Sequence, residues 1–135
     1  MSARDVVSIG LLLTIACTGR GPRVPSAAVT GSVRPPERMA IPPDAVVDVQ
    51  LLDVSRADAP AIVLARQEIP TQGRQPPFRF ALRYDPATIR TGHRYTVSAR
   101  IRTRDRLLFV SDTHHAVLTG DAEAPVDVAV VPVRE

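Results

Sequence analysis

A chain of 135 residues, 44% apolar and 23% charged, has the length for one domain with one core, and too little for a core plus a deep cleft between two lobes. That apolar fraction disfavours disorder, and no stretch approaches the ~20 apolar residues of a membrane-spanning helix. Seventeen basic against 14 acidic residues leave a charge of only +3, a weak pull on nucleic acid or any other polyanion. Every basic residue is arginine, and neither lysine nor asparagine occurs, a pattern of GC-rich coding before it is a sign of function.

Residues 1–16 read as a secretory signal peptide: Arg4 in a short polar start, then an apolar run from Val6 to Ala16, too short to span a bilayer. The single cysteine, Cys17, follows a small residue, Ala16, in an arrangement that resembles a bacterial lipobox. Thr14 stands three residues before the cysteine, where such boxes usually carry leucine. With no second cysteine an internal disulfide is impossible, and lipidation accounts for the lone thiol. Thr18 is not the aspartate that retains enterobacterial lipoproteins in the inner membrane, so the expected location is the outer membrane, facing the periplasm. Residues 17–27, rich in Gly, Pro and Ser, read as the linker from this anchor to a domain spanning 28–135.

Within the domain, prolines punctuate strand-like runs. In chain order these are Val29–Val33, Val46–Val54, Ile62–Ile69, Phe78–Tyr84, Tyr95–Arg102, Leu107–Ser111 and Val126–Val130. The second puts Val47, Val49 and Leu51 on one side and Asp48 and Gln50 on the other; the third alternates poorly. Asp85-Pro86, with Gly92 to stop it, predicts one helical turn over 86–91. Pro132 cannot donate to a ladder and predicts that the last strand lies at an edge or ends there. About seven strands in a hundred residues predict an all-β fold, a single antiparallel β-sandwich.

Catalytic chemistry is not nominated by this sequence. Adjacent His114 and His115 on a strand point to opposite faces, so a metal site is not expected there. A Ser111–His115–Asp112 set lacks a nucleophile elbow, Gly19-Arg20-Gly21 lacks the strand and helix of a phosphate loop, and no cofactor is expected. Arg100 and Arg102 share one outward face and form a candidate anion-binding surface. Leu52, Val54, Ile62 and Leu64 do not fit the core alternation and form a candidate partner surface. No exposed aromatics interleave the arginines, so nucleic acid is not an expected partner.

Two segments carry a more specific signal: Ile41-Pro42-Pro43-Asp44-Ala45 leading into Val46–Ser55, and Tyr84-Asp85-Pro86 with Ile89 leading into Tyr95-Thr96-Val97-Ser98-Ala99-Arg100-Ile101. Together they resemble the YbaY family of bacterial lipoproteins, YscW-like in domain terms and related to a type III secretion pilotin. The resemblance implies a lipid-anchored periplasmic β-sandwich and, for the type III member, a pilotin that binds the C-terminal tail of a secretin subunit. The expected function is therefore that of a non-enzymatic envelope lipoprotein, tethered through Cys17, which binds an outer-membrane secretin or another envelope protein. The alternative is an envelope lipid or glycan binding module that uses Arg100 and Arg102.

Overall fold

In the structure, a computed structural model describing residues 27–112, 115–118 and 125–134, two β-sheets pack face to face. The strands are β1 (Ala27–Arg34), β2 (Val46–Asp53), β3 (Ile62–Pro70), β4 (Phe78–Tyr84), β5 (Tyr95–Arg102), β6 (Leu107–Val110), β7 (His115–Val117), β8 (Val126–Ala129) and β9 (Val131–Pro132). The smaller sheet has the order β4-β1-β8; the larger runs β3-β2-β5-β6-β9, with β7 also on β5.

Period-2 alternation builds the core as expected. Val47, Val49 and Leu51 of β2 and Val97, Ala99 and Ile101 of β5 are buried on one face, opposite Phe78, Phe80 and Leu82 of β4. Fully burying one such aliphatic side chain contributes roughly 1.5–3 kcal/mol, so these rows supply the main driving force for the sandwich. The last predicted strand, β8, does lie at an edge, of the smaller sheet, and ends at Ala129; Pro132 itself falls in β9, an edge strand of the larger sheet paired with β6. The predicted helical turn is a 3-10 turn at Pro86–Thr88, shorter than the 86–91 expected, and Asp85 caps it by accepting a hydrogen bond from Ala87 N at 2.9 Å.

Two strands were not predicted, β7 and β9, each too short to display a period. The structure also reveals a parallel pair: β8 runs alongside β1 from Gly31↔Val126 to Arg34↔Ala129. After it, buried Val130 carries the chain across into the larger sheet. A bulge explains the poor alternation of β3. Leu51 faces Ala65 while Leu52 faces Val63, which leaves Leu64 as the extra residue.

The Ile-Pro-Pro-Asp-Ala segment is a turn closed by Ala45 N donating to Pro42 O at 3.1 Å, with Ile41 and Ala45 buried on either side. Thr71, wholly buried, holds it from the other side of the β2–β3 pair: its amide donates to Ala45 O at 3.0 Å and its hydroxyl to Pro42 O at 3.3 Å.

Candidate functional site

One end of the sandwich gathers the end of β2, the loop 54–61, the start of β3 and the turn that leads into β5. Asp53, opposite Tyr95, organises it. Its Oδ1 accepts hydrogen bonds from Ser55 N at 3.0 Å and from the Ser55 hydroxyl, and its Oδ2 accepts one from His93 Nδ1 at 2.8 Å. The Ser55 hydroxyl, and after it His93, hold the Asp53 carboxyl at about 2, below its ordinary 3.8, although partial burial works the other way. Ser55 Oγ in turn accepts from Arg94 N at 2.8 Å, and Val54 N donates to Arg94 O at 2.9 Å, so the loop is stapled to the turn. The His93 ring stacks on Tyr95 with centroids 6.3 Å apart, and the Tyr95 hydroxyl accepts from Arg90 N at 2.8 Å.

This constellation contains a serine, a histidine and an aspartate, but not in a catalytic order. The Ser55 proton is directed to Asp53, not to the imidazole, so no base activates the hydroxyl. Ser111, the serine weighed from sequence, takes a ladder position instead: its Oγ accepts from Ala99 N at 3.1 Å and its amide donates to Ala99 O at 2.9 Å. Among the described residues no three His, Cys, Asp or Glu side chains come together to hold a metal ion.

Two clefts flank the loop 54–61. One, of about 610 Å³, opens on the outer face of the larger sheet and is lined by Val54, four alanines of the loop and β7, and the arginines Arg56 and Arg94. The other, of about 460 Å³, lies toward β3 and the 3-10 turn and is lined by Ile62, Leu64, His93 and Arg90, with Arg56 shared between the two.

The four apolar candidates are therefore brought to one end of the molecule but not into one patch. Leu52 is half-buried on the outer face between Val63 and Thr96, and Val54 enters the larger cleft. Ile62 and Leu64 line the smaller one. Ile62 and its neighbour Val63 are 58% and 51% exposed, unusually high for adjacent aliphatic residues at the start of a strand.

Arg100 and Arg102 sit elsewhere on the outer face, among carboxylates. Arg102 reaches Glu68 at 2.9 Å; Glu68 also takes Arg66 at 2.6 Å, and Arg66 grips Asp48 through two bonds of 3.0 and 2.9 Å. The Asp48 contact raises the Arg66 pKa further. Arg100 lies directly across from the same Asp48. This face is largely neutralised by its own strands. Cys17, the lipidation candidate, and His114 lie outside the described residues. Sequence reasoning did not single out Arg56, and it weighed Arg94 only as one of the arginines of the fifth strand and its turn, not as part of a cleft. The one available signal was the alanine-rich Arg56-Ala57-Asp58-Ala59-Pro60-Ala61, whose small residues leave room beside the sheet.

A family model described as a type III secretion system lipoprotein chaperone (YscW) matches residues 24–130. The chain belongs to this YscW family. YscW-family membership covers both segments that carried the resemblance, and it makes the chain one of a chaperone and pilotin type of lipoprotein, not of a known enzyme family. The chain is 40% identical over 115 residues to the lipoprotein YbaY of Escherichia coli K12, covering 84% of this chain and 60% of that protein's length. It also matches the structure of an alternative pilotin from the type II secretion system of Vibrio cholerae, with a TM-score of 0.76 and 47% identity over 82% of this chain and the whole of that one.

Proposed function

We propose that this YscW-family chain is an envelope lipoprotein, anchored at the outer membrane through Cys17 and facing the periplasm, which binds a secretin or another outer-membrane or secretion-system protein as a pilotin does. The observation that carries the reading is the likeness to an alternative pilotin at 47% identity across that protein's full length. The geometry supports binding: two open clefts at one end of the sandwich, and a Ser-His-Asp cluster whose hydrogen bonds serve as a staple. The lipid or glycan alternative draws less support, because Arg102 of its face is committed to Glu68.

The test is a pull-down of the full-length protein from detergent-solubilised envelope, read by mass spectrometry against beads without bait. Enrichment of a secretin or another outer-membrane assembly is the expected outcome. Bait that is intact and folded yet brings down no envelope protein would refute the reading.

A further inference from the structure

We infer that the alanine-lined cleft between the loop 54–61 and strands β5 and β7 is the docking site for an apolar protein segment that carries acidic side chains. The inference deepens the proposal above and rests on it for the partner being a protein.

Shape comes first. The cleft holds about 610 Å³, and its walls are Val54, Ala57, Ala59, Ala61 and Ala116, side chains too small to fill the space between loop and sheet. Its floor at Thr96 is closed to polar competition, since the Thr96 hydroxyl already donates to His115 O at 3.3 Å and the residue is buried. An apolar segment seated here covers alanine methyls. Leu52 and exposed Val63 extend the same outer row across β2 and β3.

Charge selects the segment. Arg56 and Arg94 line the cleft, and among the described residues neither guanidinium is engaged by a carboxylate. The nearby acids are spent or turned aside: Asp53 is held by Ser55 and His93, and Asp58, in the same loop, does not line the cleft. Elsewhere on the sheet Arg66 and Arg102 are matched by Asp48 and Glu68, and Arg100 stands across from Asp48. A cleft with an apolar wall and two uncommitted arginines is complementary to aliphatic side chains interspersed with Asp or Glu.

Position agrees. Ala27, the first described residue, pairs with Tyr84, and Tyr84 leads through the 3-10 turn to Tyr95, beside the cleft. Cys17 lies ten positions before Ala27, a tether of at most roughly 36 Å. An anchor at Cys17 therefore holds Ala27, at this end, within roughly 36 Å of the membrane in which an outer-membrane partner resides.

The experiment places a photo-crosslinking benzoylphenylalanine at Ala59 in the full-length chain in intact cells, with Met39, at the opposite end of the sandwich, and Arg100 as comparison positions. The crosslinked segment is sequenced by mass spectrometry. The expected result is a crosslink from position 59, and not from 39 or 100, to a protein segment in which aliphatic residues alternate with Asp or Glu. Capture should fall at least tenfold in Arg56→Glu/Arg94→Glu and in Ala59→Trp with the probe moved to Ala57, each checked for an unchanged melting temperature. Capture unaffected by the Arg56→Glu/Arg94→Glu change, crosslinks from position 59 to phospholipid alone, or no protein crosslink there would overturn the assignment. A secretin crosslinked only from position 39 or 100 leaves the proposed function standing and removes the site. An acidic segment captured at 59 from a protein unrelated to the outer membrane or to secretion does the reverse.

Discussion

Asp53 joins two parts of the chain that are remote in sequence, accepting twice from nearby Ser55 and once from His93, 40 positions on. Its pKa of about 2 lies below the ordinary 3.8, so folding favours the carboxylate. By linkage that stabilisation is complete above about pH 4 and is lost as the pH falls toward about 2. Urea midpoints measured across this range should fall in the wild type and fall less in Asp53→Asn, which has no proton to gain. Parallel curves for the two proteins would show that the staple adds nothing to stability. None of this was legible in the sequence. His93 stands 40 positions from Asp53, and no spacing rule connects residues that meet only because β2 and β5 are antiparallel neighbours.

At the scale of elements, β1 owes its place to a glycine. A Cβ on Gly31 would lie 2.0 Å from the carbonyl oxygen of Val126 and 2.7 Å from the ring of Phe80, so β8 and β4 close on β1 only where no side chain intervenes. Overpacking of this kind costs roughly 1–3 kcal/mol, and here the upper part of that range applies because the obstructing atom is backbone. Gly31→Ala should lower the urea midpoint accordingly, whereas Gly73→Ala, at a turn with open space around it, tests only a positive φ of 78°. Equal losses in the two variants would refute the close-approach argument. The alternating valines of β2 and β5 were readable because a half-buried strand must repeat every two residues. The β3 bulge was not, because its extra residue, Leu64, is chemically ordinary and is fixed only by pairing with β2. At the corner between the sheets, Gln67 bridges the two edge strands, its Oε1 accepting from Ala81 N at 2.9 Å.

Over the whole molecule, the parallel pairing of β1 with β8 joins the start of the domain to its last strands, and the chain then crosses to the larger sheet at Val130. The same arrangement puts Ala27 at the end that carries both clefts, so tether and candidate site share one side of the protein. If Cys17 carries the anchor, Cys17→Ser should move the protein from the membrane to the soluble fraction of lysed cells while leaving its thermal melt unchanged. Several acyl chains bind a bilayer far more firmly than one, so the partition should be nearly complete. A Cys17→Ser protein that still sediments with membranes would argue against lipidation at this residue.

Alternation, proline punctuation and the Ile-Pro-Pro-Asp-Ala and Tyr-Asp-Pro segments were enough to establish an all-β sandwich and its family, because they are local constraints: each depends on neighbours within a few residues. Pairing decided the rest. Whether Arg102 is available depends on Glu68 of another strand, and whether Arg56 and Arg94 face one cleft depends on how the loop 54–61 folds back over β5. The four apolar residues chosen for defying the core pattern lie at one end of the molecule, but pairing separates them: Val54 lines one cleft, Ile62 and Leu64 the other, and Leu52 neither. Hydrophobic period is written along one strand; charge compensation and concavity arise between strands, and only the tertiary structure brings those strands together.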